Sequence, residues 1–358
     1  MGEEAEREMK EGLQFYGGRR VLVTGHTGFK GTWLSWLLSA LGAEVYGIAL
    51  PPQPGSLHEK AAPPLADSCL TDIRNGEAVG RVVGQFQPEL VFHLAAHAYL
   101  DGSYDYPADI FEINLMGTVR LLDALRSRCV PTVVVTSDKC YAWQPDGRPC
   151  CEDDPLGAAE SYSTSKACQD LAAQSYQYAF PEMAVATARA SNTIGGGDFN
   201  RSRLVPYLLE CFSGGVPARL RNPGFVRPWQ YVLDVLWGYL TLGKALTEGC
   251  ITGSHAFNFG PAPDGFQTVE QVARLLSAYF REASVEWQAA GKSTENALLR
   301  LDSSKAWREL GWQPLYTLEE TLMQTAGFHQ AMRKRPAEEL CREQAAQYLA
   351  RAKERGQL

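Results

Sequence analysis

Short apolar runs rich in β-branched residues alternate along the chain with longer stretches whose apolar positions recur every three or four residues. RRVLVTG (19–25), AEVYGIAL (43–50), ELVFHLAA (89–96), PTVVVTS (131–137) and AVATARAS (184–191) are of the first kind and read as strands buried on both faces. TWLSWLLSALG (32–42), IFEINLMGTVRLLDALRS (110–127) and YSTSKACQDLAAQSYQYAF (162–180) are of the second kind and read as helices. Strand and helix in turn predict an α/β fold, a doubly wound parallel sheet of Rossmann type with right-handed crossovers. It spans residues 18–194, and the chain is expected to return to it around 228–260. Loops such as GGGDFNRSR (195–203) and RNPGFVRPW (221–229), with the amphipathic YLLECF and VEQVARLLSAYF, predict a smaller substrate-facing lobe over 195–330. Residues 1–17 read as a leader. Residues 331–358 read as a charged helical extension after Pro336, expected to be a solvated surface element.

Composition narrows this little. With 45% apolar and 21% charged residues in 358, the chain suits a large α/β unit plus a smaller one. A net charge of −7 argues against a general nucleic-acid binder. MGEEAEREMKEG carries five acids and two bases, and no apolar stretch reaches membrane-spanning length, so a cytoplasmic protein is expected. The nine cysteines include no Cys-x-x-Cys pair and are expected to be free thiols, mostly buried. Adjacent Cys150 and Cys151 have no second ligand pair, and His93 and His97 follow a strand rather than sharing a helix face, so no metal site is expected.

The candidate chemistry lies past the ends of the strands. VLVTGHTGFKG places Gly25, Gly28 and Gly31 three apart, after a strand and opening a helix. Such glycines allow a tight turn, close approach to a pyrophosphate and close packing of helix on strand; Thr27 and Phe29 lie between them. The lysine, Lys30, precedes Gly31, so no Walker A loop is present. Asp72, next to Ile73 in TDIR, is a candidate for the adenine amino group, and the small-residue turn Leu94–Ala95–Ala96 lets a cofactor lie close. No acid ends the second strand to bind a ribose and no arginine stands there for a 2′-phosphate; GIAL runs into Pro51 and Pro52. NAD is the expected cofactor. Tyr162 and Lys166 are four apart on one helical face, where an ammonium lowers the proton affinity of a phenol and lets it take a proton from a sugar hydroxyl as hydride leaves. Asp138 and Lys139, opposite charges side by side, follow the valine strand directly.

These motifs carry a resemblance. VTGHTGFKGTWLS, HLAA, SDKCY, EDDPLG, YSTSK, SNTIGGGDF, RNPGFVRPWQYV, FNFGP and LDSSKAWRELGW occur in order over about residues 15–330, and the chain resembles the CDP-glucose 4,6-dehydratases among the extended short-chain dehydrogenases/reductases. The resemblance implies that Asp138 protonates the departing hydroxyl of carbon 6 and that Lys139 removes the proton of carbon 5. Ser137 and Tyr162 would then meet the sugar hydroxyl, with Tyr162 and Lys166 also facing NAD. Asn192, Arg203 and Arg227 are implied as ligands of the CDP-hexose. It further implies a homodimer formed through the helix bearing the tyrosine. HAYLDGSYDYP (97–107), with His97, Asp101 and Gly102, departs from the family's Gln-Pro start and basic residue. An NDP-sugar 4-epimerase, a dehydratase of another nucleotide sugar, and a catalytically silent NAD-binding module remain the alternatives. Taken singly, Asp138 and Lys139 also fit a surface ion pair, Asp72 a surface turn, Asn192 a loop cap and Ser137 a turn cap.

Overall fold

The computed structural model describes residues 15–97, 106–142, 144, 147–157, 159–289 and 300–357. The strands are β1 (Arg20–Thr24), β2 (Glu44–Ala49), β3 (Asp67–Leu70), β4 (Leu90–His93), β5 (Thr132–Val135), β6 (Val185–Ala190), β7 (Asn192–Ile194), β8 (Ala218–Leu220), β9 (Val226–Tyr231), β10 (Ala256–Phe259), β11 (Phe266–Thr268) and β12 (Val285–Trp287). The helices are α1 (Phe29–Ala40), α2 (Leu57–Lys60), α3 (Gly76–Phe86), α4 (Pro107–Phe111), α5 (Gly117–Arg126), α6 (Ser161–Ala179), α7 (Leu204–Ser213), α8 (Val232–Thr247), α9 (Val269–Ser277), α10 (Ser304–Leu310), α11 (Leu318–Ala331) and α12 (Ala337–Glu354). A π-helical turn, Glu112–Met116, joins α4 to α5.

Seven strands form one parallel sheet in the order β10-β6-β5-β4-β1-β2-β3, so the strand order reverses between β1 and β4. Successive residues of one strand enter different cores. Val21 and Val23 join the core on one face and Leu22 the core on the other, and Val133, Val134 and Val135 divide likewise. That division is why the sequence shows runs rather than alternation. A third core belongs to the smaller lobe, where α7, α9 and α11 meet the ends of β7, β8 and β9. Helix α8 and strand β10 rejoin the large sheet; Leu236, Leu240 and Phe257 lie in its core.

Four local features differ from the sequence expectations, the first being that residues 226–229 of the stretch read as a loop lie in strand β9, where they pair with β7 and β11. β3 was not foreseen, because DSCL is an edge strand with three of its four residues exposed. And α12 is no solvated element: Leu340, Cys341, Ala345, Tyr348 and Ala352 are buried, and the helix lies on α1. Small alanines on the buried face hide the stripe from a hydrophobicity reading. Tyr348 donates to the carboxylate of Asp234 (2.9 Å), which also accepts from the backbone N–H of Leu315 and Tyr316 (2.9 and 3.2 Å). Burial raises the Asp234 carboxyl to about 7. Tyr16, read as leader, is likewise buried and donates to the Leu240 carbonyl (2.6 Å).

Among the described residues no helix is long and apolar enough to cross a membrane. The nine cysteines are free, but only Cys140, Cys150, Cys211 and Cys341 are buried. The expectation of mostly buried thiols therefore fails, since Cys129 and Cys250 sit in exposed turns.

Docking of α12 predicts that Tyr348→Ala costs about 3–5 kcal/mol, because a fully buried ring leaves a cavity and Asp234 loses a donor. A solvated helix would lose under about 0.5 kcal/mol. Urea unfolding of parent and variant separates the two.

Candidate active site

Past β1 the chain turns at Gly25, with φ +75°, and the Gly25 N–H bonds the Ile48 carbonyl (2.7 Å). A Cβ at Gly25 would lie 2.8 Å from the Ala95 nitrogen, and one at Gly31 would fall on the Gly25 carbonyl. These two positions cannot carry a side chain, since the turn after β1 is pressed against the β4 exit and the first turn of α1 is pressed against that turn. Gly28 is the N-cap of α1, which has neither a side-chain cap nor an acid in its first turn. Bare N–H groups at a helix start, beside a glycine cradle at the point where strand order reverses, suit a dinucleotide diphosphate. Thr27 Oγ1 donates to the Leu50 carbonyl (3.0 Å), bridging the turn to the end of β2. Phe29 is partly buried against the main core.

The other cofactor candidates line the same strand ends. Leu94 and Ala95 follow β4, and the Ala95 N–H donates to Thr24 Oγ1 (3.1 Å); Ala96 follows them, partly buried. Ile73 is buried against Gly117, whose Cβ would come within 2.8 Å of it. Asp72 forms a turn: its carboxylate is held by Arg74 (2.8 Å), which lowers its proton affinity.

Lys166 is buried, and its ammonium donates to the Val135 carbonyl (3.2 Å) and Gln169 Oε1 (2.8 Å). Gln169 Nε2 donates to Thr118 Oγ1 (2.8 Å), whose own proton goes to the Asn114 carbonyl (2.7 Å). Thr118 Oγ1 is therefore the acceptor for His93 Nε2 (2.8 Å), which makes Nδ1 the acceptor for Thr24 Oγ1 (2.7 Å). Each donor meets one acceptor, and His93 is fixed as the neutral Nε2–H tautomer. Burial, with Lys166 nearby, drops His93 to about 3, so the metal-like spacing of His93 and His97 is structural. Among the described residues no cluster of metal-ligating side chains occurs. Asn114, on the π-turn, donates to Ser165 Oγ (2.9 Å) and bonds the His97 backbone. None of Thr24, Asn114, Thr118 or Gln169 was a sequence candidate, and His93 drew notice only for its metal-like spacing. Gln169, three residues after Lys166 on one helical face, was the one visible from spacing.

The charged pair after the valine strand is not a surface feature. Ser137 donates to Asp138 Oδ1 (3.0 Å) and accepts from the Lys139 N–H (3.2 Å), capping a short turn over Asp138–Cys140. Asp138 is 2% exposed, and its Oδ2 is buried without a partner. Burial raises its proton affinity, against the pull of Lys139, Ser137, Lys30 and Arg227. Tyr162 is pushed up to about 12 by burial, countered by a hydrogen bond with Ser137. Lys166 is brought down to about 7 by burial and the charge of Lys30. The site thus keeps a carboxyl inclined to hold its proton beside a phenol and a weakly basic ammonium.

Two arginines from beyond β6 add their charge to the site. Arg227 lies on β9, 8% exposed, its Nη1 on the Val226 carbonyl (3.0 Å), and its charge reaches Asp138. Arg203 precedes α7, holds Asp198 (2.9 Å), and its charge reaches Tyr162. Asn192 opens β7, in register with Trp229 two residues past Arg227. The structure therefore brings Ser137, Asp138, Lys139, Tyr162, Lys166, Arg203 and Arg227 into one electrostatic neighbourhood, with Asn192 beside it; Asp72 stands apart. Asp101 and Gly102 of the departing segment lie outside the described residues.

The profile of the NAD dependent epimerase/dehydratase family matches residues 21–259. The chain belongs to that family. It is similar to the CDP-glucose 4,6-dehydratase of Salmonella typhimurium, 38% identical over 334 residues covering 88% of this chain and 92% of the relative. A dTDP-glucose 4,6-dehydratase of Xanthomonas campestris is 26% identical over 331 residues, 86% of this chain and 92% of that one. In fold it is similar to a UDP-glucose 4-epimerase of Thermus thermophilus in complex with NAD, with TM-score 0.75, 25% identity, and cover of 87% of this chain and 99% of that one. The family is NAD-dependent, and the glycine cradle and uncapped helix of this member fit that cofactor.

The neutral His93 has a measurable sign. Below about pH 6.5 the unfolded chain's imidazole takes up a proton, whereas the folded one stays neutral down to about 3. The unfolded state then binds more protons, so stability falls on acidification through this window, by up to about 1.4 kcal/mol per pH unit. His26, held at about 4 chiefly by burial, adds in the same direction. Urea melts of the apoprotein at stepped pH are expected to show a shallower acid slope for His93→Gln than for the parent.

Proposed function

We infer that this protein is an NAD-dependent CDP-glucose 4,6-dehydratase, forming CDP-4-keto-6-deoxyglucose. The observation that carries the reading is the buried, proton-retaining Asp138 seated beside Ser137, Tyr162 and Lys139. Simple epimerisation at carbon 4 needs a tyrosine and a lysine but no acid; loss of a hydroxyl needs one. The 38% identity to a CDP-glucose 4,6-dehydratase over 88% of the chain supports the nucleotide.

Gly25, Thr27, Gly28, Phe29 and Gly31 would hold the cofactor diphosphate, Asp72 and Ile73 its adenosine end, and Leu94, Ala95, Ala96, Tyr162 and Lys166 its nicotinamide half. Bound NAD supplies oxidation at carbon 4 and the later reduction at carbon 6. Tyr162, hydrogen-bonded with Ser137, takes the proton of the 4-hydroxyl; Lys166 stabilises the phenolate by its charge. A ketone at carbon 4 makes the hydrogen of carbon 5 acidic. Lys139, which must first have given up its own proton to stand as the uncharged amine, takes the carbon 5 proton, the carbon–oxygen bond at carbon 6 breaks, and Asp138 gives its proton to the departing hydroxyl so that water leaves. Asn192, Arg203 and Arg227 would grip the CDP diphosphate, the planar guanidinium forks meeting phosphate oxygens in pairs.

The acidic chain belongs, in this reading, to the cytoplasm, and has neither a nucleic-acid nor a membrane partner. It works as a homodimer through α6, where Leu171 and Tyr178 are 53% and 91% exposed. Apolar and aromatic side chains so placed on the helix that bears Tyr162 favour a covered face.

Incubation with NAD and CDP-glucose should yield a product one water lighter by mass spectrometry. A product of unchanged mass would mean epimerisation, and no product from CDP-, dTDP-, GDP- or UDP-hexoses would reject the reading. Tyr162→Phe should lower kcat by about 10²–10⁴-fold while weakening NAD binding, read by calorimetry, far less than that.

A further inference from the structure

Gln169 follows Lys166 by three residues on α6 and is fully buried. Its amide has one permitted orientation. Lys166 can only donate, so the atom 2.8 Å from the ammonium is Oε1; Nε2 is left to donate to Thr118 Oγ1 (2.8 Å), whose own proton is spent on the Asn114 carbonyl. Of the three ammonium protons one thus meets Gln169, one the Val135 carbonyl (3.2 Å), and the third has no acceptor among the described residues. The carboxylate next along α6 does not serve. Asp170 is engaged by two nitrogens of Arg189 (2.9 and 2.8 Å), by Thr136 (2.9 Å) and by Gln174 (2.7 Å).

We propose that Gln169 is a positioning residue for Lys166: its amide oxygen seats the ammonium while leaving the charge uncompensated, so that the full field acts on Tyr162. The inference deepens the dehydratase reading above and rests on it for the part played by Tyr162. Two other side chains of similar length define what the amide does. A glutamate would hold the ammonium at least as well, yet its own charge would cancel the field at the phenol. A methionine would leave a second proton without an acceptor in a site shut off from water, and the ammonium would shed its charge. A neutral acceptor keeps the lysine both charged and effective. The titratable groups that act on Lys166, or on which it acts, are Lys30 from α1, His93 from β4, Cys140 from the turn after β5 and Asp170 from α6. Burial and Lys30 already bring it down to about 7, so a single hydrogen bond decides which form prevails at neutral pH.

Substitutions of opposite sign separate this role from packing. In the apoprotein labelled with ¹³Cε-lysine, the Lys166 resonance, assigned with Lys166→Met, is titrated in the parent, Gln169→Glu and Gln169→Met. The midpoint should rise by about 1–3 units in Gln169→Glu, where a carboxylate faces the ammonium, and fall by about one unit in Gln169→Met. In turnover of CDP-glucose both variants should lower kcat at neutral pH by about tenfold or more, with KM changed less than about threefold, since both remove the field on Tyr162. The acid limb of the kcat profile should move to the alkaline side in both. Midpoints that stay put or shift in the same direction overturn the proposal, as does a loss confined to KM or parental turnover in Gln169→Glu. Should Gln169→Met fail to fold, Gln169→Leu takes its place with the same expectations. The titration needs no activity: a parent that leaves the mass of CDP-glucose unchanged rejects the dehydratase reading, and the midpoints still judge the seat of Lys166.

Discussion

An ammonium buried without a carboxylate against it is the constraint around which this site is built. Among the described residues Lys166 donates to two neutral acceptors, the Val135 carbonyl and Gln169, and the Asp170 carboxylate acts on it through its charge alone. Desolvating a cation costs several kcal/mol unless aligned dipoles replace the lost water. The chain Gln169–Thr118–His93–Thr24, with Asn114 locking Thr118, supplies that alignment and connects α6 to β4 and β1. Its far end is the Ala95 N–H, in the turn against which the cofactor glycines press. Proton-transfer chemistry and dinucleotide cradle are thereby held in one register.

A second buried assembly supports the acid. Arg189 and Asp170 form a two-point ion pair (2.9 and 2.8 Å), fully buried, with Thr136 donating to the same carboxylate. Arg189 also holds the Tyr141 hydroxyl (2.8 Å), which donates to Asn258 on β10. Tyr141 ends the turn that carries Asp138 and Lys139, so that turn is anchored behind by charge and in front by the Ser137 cap. A hydrophobic replacement of such a pair can match its stability. What the pair adds is direction, because a two-point guanidinium bond permits one orientation of β6 relative to α6.

Much of this was legible because the chemistry imposes rigid local patterns. Three glycines three apart, a tyrosine and lysine one helical turn apart, and a charged pair after a valine run each follow from geometry within a few residues. The family motifs then gave roles to Asp138 and Lys139 that spacing alone left open. Less visible was whatever depends on distant partners. His93 reads as a candidate ligand until Thr24 and Thr118, on other elements, are seen to saturate it. β3 is polar because it is an edge, and α12 reads as solvated because alanines form its buried stripe. Asn114 owes its place to a π-turn, which has no signature in the apolar period.

The same separation of partners along the chain bears on the balance of charge. The whole chain carries −7, yet Lys30, Lys139, Lys166, Arg203 and Arg227 converge on a cleft whose buried acid tends to stay neutral. Without a ligand these cations raise one another's energy, which is part of why Lys30 and Lys166 are the lysines brought down to about 8 and about 7. Two diphosphates, one from each nucleotide, would relieve that repulsion. Protonation of the reacting groups and occupancy of the anion sites are then one coupled equilibrium. A cleft loaded with both nucleotides would hold the Lys30 and Lys166 charges more firmly than an empty one and so strengthen the field on Tyr162 at the point where it must lose its proton.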